Sequence, residues 1–152
     1  MVLHGSFSEG FFAEYGEPST DDHDMNRRIN LDNVVKEIAD ILDEKHGEDI
    51  VILDVSKVSN LSDYFVVATA NSDPHMGALR EAILEYIEKE TVEIIYYDKG
   101  KGYDWMVIDG GYFIVHIFSR KGREFYSLED LWLNAKRYTY RDLVKDGDNT
   151  RQ

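Results

Sequence analysis

The stretch that decides the fold is residues 64–74, which read YFVVATANSDP. Its first seven residues are almost continuously apolar, β-branched or aromatic, which predicts a strand covered on both faces. Asp73 can accept hydrogen bonds from the free N–H groups at a helix start, and Pro74 suits the first helical position. Apolar residues then recur at helical spacing: Met76, Leu79, Ala82, Ile83, Tyr86 and Ile87. A buried strand that leads into an amphipathic helix predicts an α/β domain.

Downstream of this helix the sequence predicts three more strands. Residues 92–97 return as a strand, and a strand, a helix and a strand in succession predict a parallel pair joined by a crossover. A glycine-rich polar loop at residues 98–103 precedes a short strand at residues 105–108. The turn signal Asp109-Gly110-Gly111 then leads into a buried strand at residues 113–118. We expect these last three strands to form an antiparallel meander, which makes the sheet mixed.

The regions on either side complete the predicted domain. An apolar stripe at residues 31–42 predicts a helix, which Asn30 can cap and Gly47 can end in a left-handed turn. Residues 50–55 read as a buried strand. Ser127 can cap a further helix that carries Leu128, Leu131, Trp132 and Ala135. The expected architecture is a single α/β domain at residues 31–138, with a mixed five-stranded sheet and flanking helices.

Both ends of the chain depart from this pattern. Residues 1–30 mix glycine, proline and acidic residues without a helical or strand period, which predicts a disordered acidic arm. This arm has neither the basic start of a signal peptide nor the arginine content of a transit peptide. Met25 is an alternative natural start, and the aromatic residues before it are an alternative docking segment. Residues 139–152 read as a charged C-terminal tail that frays beyond Tyr140.

Composition narrows the classes of site and partner. The 152 residues include no cysteine, so disulfides and thiolate metal sites are excluded. The absence of cysteine also fits a reducing compartment, and we expect a cytoplasmic protein. No apolar run approaches the roughly 20 residues needed to cross a bilayer, so we expect no membrane partner. The net charge of −13 should repel the phosphate backbone of nucleic acids, which argues against direct, sequence-specific nucleic-acid binding. The charge fits a basic protein partner, although acidic residues also simply keep proteins soluble.

The usual catalytic and metal-binding motifs are absent from the sequence. It has no Gly-x-Ser-x-Gly elbow and no P-loop, and no two histidines share the i, i+4 spacing of a helical zinc pair. The pairs Asp22/Asp24 and Asp146/Asp148 could hold Mg²⁺, but both lie in the predicted tails. His116 interrupts an apolar strand and must find a hydrogen-bond partner, as a structural or a functional residue. We therefore predict no enzyme, no cofactor and no metal site.

An aromatic feature remains as the candidate site. Trp105 lies in a short strand between Asp104 and Asp109, beside the glycine-rich loop. Tryptophan is a favoured anchor at protein interfaces, and the surrounding acids would complement a basic partner. A large core residue would have the same spacing, so the pattern leaves both interpretations open.

Three stretches of the chain together resemble the ribosomal silencing factor family, also called the Iojap-related family. They are DVS at 54–56 with LSDYFVVAT at 61–69, then NSDPH at 71–75, and finally WMVID at 105–109 with VHIF at 115–118 and REFYSLEDLW at 123–132. The similarity covers about residues 31–137, and its specificity lies in the order and spacing of the pieces. The family usually has Gly-Asp before the histidine strand, whereas this chain has Gly110-Gly111, and the arm before Met25 has no counterpart.

The resemblance implies a binding function on a fold similar to nucleotidyltransferases without their catalytic acids. It implies docking on the fourteenth protein of the large ribosomal subunit, which blocks joining of the small subunit and damps translation when nutrients are short. Homodimers are implied for the free protein. Trp105 matches the family's interface tryptophan, and the expected docking residues are Asp104, Trp105, Met106, Ile108 and Asp109. A degenerate nucleotidyltransferase and a large-subunit assembly factor are the alternatives.

Overall fold

A computed structural model describes residues 31–150, with side chains described as far as Lys145. The predicted arm at residues 1–30 lies outside this part of the chain. The helices are α1 (Asn33–Glu44), α2 (Asp73–Lys89), α3 (Arg120–Tyr126), α4 (Leu128–Leu131) and α5 (Tyr140–Thr150). The strands are β1 (Glu48–Asp54), β2 (Tyr64–Ala70), β3 (Tyr96–Tyr97), β4 (Trp105–Asp109), β5 (Phe113–Ser119) and β6 (Lys136–Thr139).

The strands form one mixed sheet in the order β3-β4-β5-β2-β1-β6. β2 and β5 run parallel, and all other neighbours run antiparallel. The prediction of a mixed α/β domain and of a meander through β3, β4 and β5 is confirmed. The predicted count of five strands is wrong, because β6 adds a sixth strand along β1. Two of its four residues are charged and three are exposed, as is common for edge strands, so they lack the apolar pattern by which strands are detected.

The predicted parallel pairing of residues 64–70 with residues 92–97 is also wrong. Only Tyr96 and Tyr97 form strand β3, and they pair antiparallel with β4 at the edge of the sheet. The parallel partner of β2 is β5, so the chain passes through α2 and the meander before it returns beside β2. The strand beside β2 at the centre of the sheet is β5, which is longer than β3 and apolar enough to be buried on both faces.

The two faces of the sheet are covered differently. On the first face, α1 and α2 pack over the larger core, and Tyr140 and Leu143 of α5 pack against it. On the second face, a smaller cluster lies under the segment that contains α4. Its buried members are Val51, Leu53, Val55, Phe65, Val67, Ile114, Phe118 and Leu128. The cover on this second face is incomplete over β4, and the candidate site lies there.

The residues that cap the ends of α1 are sequence neighbours of the residues predicted for these roles. The N-cap of α1 is Asp32, whose carboxylate accepts from the N–H groups of Val34 and Val35, while Asn30 lies outside the described residues. His46 takes the left-handed conformation after α1, with φ +67°, where Gly47 was predicted to do so. Gly47 instead approaches the carbonyl of Leu42, to which its N–H donates at 2.7 Å.

The predicted caps of α2 and α4 also differ in the structure. Ser72 caps α2 by accepting from the N–H of His75, which frees the Asp73 carboxylate to accept from Gly102 in the distant loop. Ser127 is left-handed, with φ +45°, and makes no side-chain cap. The helix α4 that follows is short and ends at Leu131, and Trp132 and Ala135 pack onto the second face from beyond it.

Gly111 has a conformational role in the turn between β4 and β5. Gly111 has φ +90°, and its N–H donates to the side chain of Asp109 at 2.9 Å in the turn between β4 and β5. A residue with a side chain is strained in this region of backbone conformation, whereas glycine is not. The turn between β4 and β5 therefore suits glycine at position 111.

Candidate functional site

The side chains of β4 alternate between the two faces of the sheet. Trp105, Val107 and Asp109 point to the second face and are half-buried. Met106 and Ile108 point to the first face, where they are only 2% and 0% exposed within the larger core. The expectation that Met106 and Ile108 contact a partner beside Trp105 is therefore corrected, because consecutive residues of a strand face opposite ways.

A groove of about 700 Å³ lies beside Trp105 on the second face. We call it the Trp105 groove, and its lining residues are Tyr96, Asp98, Gly102, Tyr103, Asp104, Trp105, Val107, Asp109 and Tyr126. Three of these described residues are aspartates and none is lysine or arginine. The structure thus brings Asp104, Trp105 and Asp109 together, as the sequence suggested. It adds Tyr96, Asp98, Tyr103 and Tyr126, which the pattern around β4 did not identify.

Trp105 is held by aromatic neighbours and by one hydrogen bond. Its ring stacks on Phe118, with centroids 5.2 Å apart, and Tyr126 lies 4.9 Å away on α3. The indole N–H donates to Nδ1 of His116 at 3.0 Å. Trp105 therefore has one side packed on the second-face cluster and another at the groove. The core interpretation holds for the packed side, and the interface interpretation stays a prediction.

His116 is a buried neutral base beneath Trp105. An indole nitrogen can only donate, so Nδ1 of His116 must accept and the ring proton must be on Nε2. Nε2 has no hydrogen-bond partner among the described residues, and the ring lies edge-on to Phe65. Burial disfavours the charged form and lowers the pKa of His116 to about 3. The strand histidine thus orients Trp105.

We expect His116 to make stability depend on pH. Its pKa is about 3 in the folded chain. An unfolded histidine titrates near ~6.5, so only the unfolded chain takes up a proton between these values. The contribution is fully present above about pH 6.5 and is lost as the pH falls towards 3, by up to about 1.4 kcal/mol per unit. Denaturant unfolding of the wild type and His116→Gln at pH 7 and pH 5 checks this. The stability gap between the two proteins should narrow at pH 5, and an unchanged gap would contradict it.

The aspartates of the groove also fix its backbone. Asp98 accepts from the N–H of Val107 at 2.9 Å and from the hydroxyl of Tyr96 at 2.6 Å. Asp104 accepts from the hydroxyl of Ser119 at 2.8 Å. Arg80 of α2 donates to two carbonyls in the glycine-rich loop, those of Asp98 and Gly100. The wall of the groove is therefore tied to β4, to β5 and to α2, which positions its carboxylates before any partner arrives.

Helix α3 packs directly against the start of β4 through a glycine. A Cβ atom added to Gly122 would lie 2.0 Å from the carbonyl oxygen of Asp104. The hydroxyl of Ser119 caps this helix by accepting from the N–H of Gly122 at 2.9 Å. Tyr126 lies one turn beyond Gly122, so the close approach at the glycine sets the position of that ring against Trp105.

Replacement of Gly122 by alanine is expected to displace α3 and to lower the free energy of unfolding by about 1–3 kcal/mol, because the clash is with backbone. Denaturant unfolding monitored by circular dichroism measures this change. Gly77→Ala is the matched control, since that glycine also lies in a helix but has space for a methyl group. We expect Gly77→Ala to be neutral or to stabilise α2 by about 0.5–1 kcal/mol. Equal effects of the two substitutions would refute the close approach at Gly122.

Two other features of the structure bear on chemistry. Among the side chains that the structure describes, which end at Lys145, no three of histidine, aspartate or glutamate are grouped so that they could hold a metal ion. Asp22 and Asp24 lie outside the described residues, and the side chains of Asp146 and Asp148 are likewise not described. In the same part of the chain, no helix is both long and apolar enough to cross a bilayer.

Comparison with known proteins supplies the family. The sequence model of the family described as "Ribosomal silencing factor during starvation" matches residues 28–152. A ribosomal silencing factor of Bacillus subtilis is 32% identical over 110 residues, which cover 70% of this chain and 91% of that protein. A mouse protein named "Mitochondrial assembly of ribosomal large subunit protein 1" is 26% identical over 76% of this chain, and the match spans half of its own length.

A solved structure agrees with these matches. The crystal structure of a Chromobacterium violaceum protein superposes with a TM-score of 0.64 at 27% identity, covering 68% of this chain and 87% of that one. The region that the family model matches includes the strand that carries Trp105 and the strand that carries His116. On these matches the chain belongs to the ribosomal silencing factor family.

Proposed function

We propose that this protein binds the large ribosomal subunit through the Trp105 groove and thereby blocks joining of the small subunit. The partner within the subunit is its fourteenth protein, as the family resemblance implies. The observation that carries the proposal is a half-buried tryptophan beside three aspartates in a groove on the incompletely covered face of the sheet. Family membership supports the ribosome as the partner, since the relatives are named as ribosomal silencing factors.

The charge of the groove fits a basic protein. Asp98, Asp104 and Asp109 contribute carboxylates to one surface, and the whole chain carries a net charge of −13. Complementary fields accelerate encounter more than they add affinity, and this effect is screened by salt. Association should therefore slow as salt rises, while the rate of dissociation changes less. We place this activity in the cytoplasm, and propose that the free protein is a homodimer, which analytical ultracentrifugation would test.

A two-part experiment tests the proposal. The purified protein is first sedimented with isolated large subunits and, separately, with small subunits. It should travel with the large subunit alone. Light scattering then follows the mixing of both subunits, and joining should be suppressed when the large subunit has been incubated with the protein beforehand. Failure to sediment with large subunits would overturn the proposal, and so would binding without any effect on joining.

Assembly of the large subunit is a second candidate function. The name of the mouse relative assigns assembly of the ribosomal large subunit to that protein. The same groove could recognise a precursor particle that already contains the partner protein. Depletion of the protein in cells distinguishes the two functions. If the protein is an assembly factor, depleted cells should accumulate immature large particles. If it is a silencing factor, depleted cells should contain mature large subunits and excess joined ribosomes during starvation.

Catalysis is not part of the proposal. The likeness to nucleotidyltransferases that the family resemblance implies is an expectation about the fold alone, and the described residues group no three acidic or histidine side chains for a metal ion. Calorimetric titration with Mg²⁺ and nucleoside triphosphates should therefore give no binding heat. A saturable signal would favour the degenerate nucleotidyltransferase instead.

A further inference from the structure

The aromatic surface around Trp105 continues onto helix α3. The ring of Tyr126 is centred 4.9 Å from that of Trp105, and the ring of Phe125 is centred 5.0 Å from that of Tyr126. Tyr126 is 41% exposed and Phe125 is 76% exposed. We call Trp105, Tyr126 and Phe125 the aromatic row. A single exposed aromatic residue needs no explanation, but a contiguous row beside a groove is typical of an interaction surface.

The geometry of the row is set by backbone contacts within the chain. The carbonyl of Asp104 accepts from the N–H of Ser119 at 3.1 Å, and Gly122 packs on that same carbonyl. Helix α3 is thereby fixed to the residue that precedes Trp105. Side chains that start in the right position lose less conformational entropy when they bind, which makes a preformed row effective as an anchor.

The acidic residues around the row indicate the kind of partner. Asp98, Asp104 and Asp109 line the adjoining groove, and the exposed Glu124 precedes Phe125. Exposed aromatic rings can stack on nucleobases as well as on protein. Four carboxylates beside them oppose a phosphate backbone, however, and favour a protein surface that presents cations around an apolar recess.

We propose that Phe125 is a second anchor, which enters an apolar recess of the same basic ribosomal protein that Trp105 contacts. This proposal rests on the proposed function and extends the docking surface from β4 to α3. Interface energy is concentrated in a few well-packed aromatic side chains, and Phe125 has the largest exposed fraction in the row. Because most of its ring lies in solvent, its removal should leave the fold intact.

The test compares Phe125→Ala with Leu133→Ala, since Leu133 is also a large apolar residue and is 79% exposed. Binding to purified large subunits is measured by sedimentation or by fluorescence of a labelled protein. Phe125→Ala should weaken binding by about tenfold, whereas Leu133→Ala should change it less than about twofold. Both variants should unfold at the wild-type denaturant concentration. Unchanged binding by Phe125→Ala, or equal losses in both variants, would overturn the second anchor.

Two further arms separate this proposal from its alternatives. Protein-free ribosomal RNA extracted from the same subunits should bind neither the wild type nor Phe125→Ala; binding that depends on Phe125 would overturn the protein partner. Trp105→Ala is measured in parallel. If Trp105→Ala loses binding while Phe125→Ala keeps it, the second anchor alone fails. If the wild type does not bind large subunits, the proposed function fails and the anchor fails with it.

Discussion

Replacement of Trp105 by alanine is expected to weaken binding to the large ribosomal subunit at least about thirtyfold, which corresponds to about 2 kcal/mol. The Trp105 ring lies between Phe118 and Tyr126 at the edge of the groove, and its indole N–H donates to His116. Truncation would remove the contact area and leave Nδ1 of His116 without its donor. Co-sedimentation over a series of subunit concentrations measures the change.

Two variants keep this result interpretable. Trp105→Phe retains an aromatic ring on Phe118 but loses the hydrogen bond to His116, so its affinity should lie between those of the wild type and Trp105→Ala. Val144→Ala alters a 47% exposed residue on α5, the helix that packs on the other face of the sheet. It should bind as the wild type does. Unchanged affinity of a folded Trp105→Ala protein would remove Trp105 from the docking surface.

Replacement of Ile108 by alanine is expected to lower the free energy of unfolding by about 2–5 kcal/mol without changing the affinity of the folded protein. Ile108 is fully buried in the first-face core, so the substitution leaves a cavity beneath α1 and α2. Denaturant unfolding gives the stability, and binding is measured at a temperature where the variant is folded. A large loss of affinity by folded Ile108→Ala would show that the core transmits its shape to the groove.

Val107→Ala is the matched control for this experiment, because Val107 neighbours Ile108 but lines the groove on the opposite face. Val107 is half-buried, so its truncation should cost less stability than that of Ile108. Its effect on binding should be the larger of the two. The two substitutions thus test whether Ile108 contributes mainly to stability and the consecutive residue Val107 mainly to binding.

Met106 and Ile108 are core residues in a strand whose other side chains line the groove. The resemblance picks out the whole run of residues 105–109, because core residues and contact residues of one strand are matched together. Only the pairing of β4 with β5 and the cover by α2 show which side chains are buried. Trp105 and Asp109 share a face because they are four positions apart in the strand, while Asp104 precedes the strand and lines the same groove.

Local chemistry in the sequence was sufficient for the elements with strong apolar patterns. The strand at residues 64–70, the helix after Pro74 and the turn at Gly110-Gly111 were predicted from hydrophobic spacing and turn residues, and the structure contains each of them. The sequence was misleading at β3 and β6. Edge strands bury little, so their residues are free to be polar and give little periodic signal.

The sequence by itself determined that this is a mixed α/β domain of the ribosomal silencing factor family, with Trp105 and its neighbouring acids as the candidate anchor. Those features depend on residue type and spacing along the chain. The tertiary structure alone decided that β2 pairs with β5, that Tyr126 lies next to Trp105 with Phe125 beyond it, and that His116 accepts from Trp105. Except for the adjacent residues Phe125 and Tyr126 on α3, these contacts join residues at least ten positions apart along the chain. Such contacts depend on how the sheet and helices pack, which no local pattern encodes.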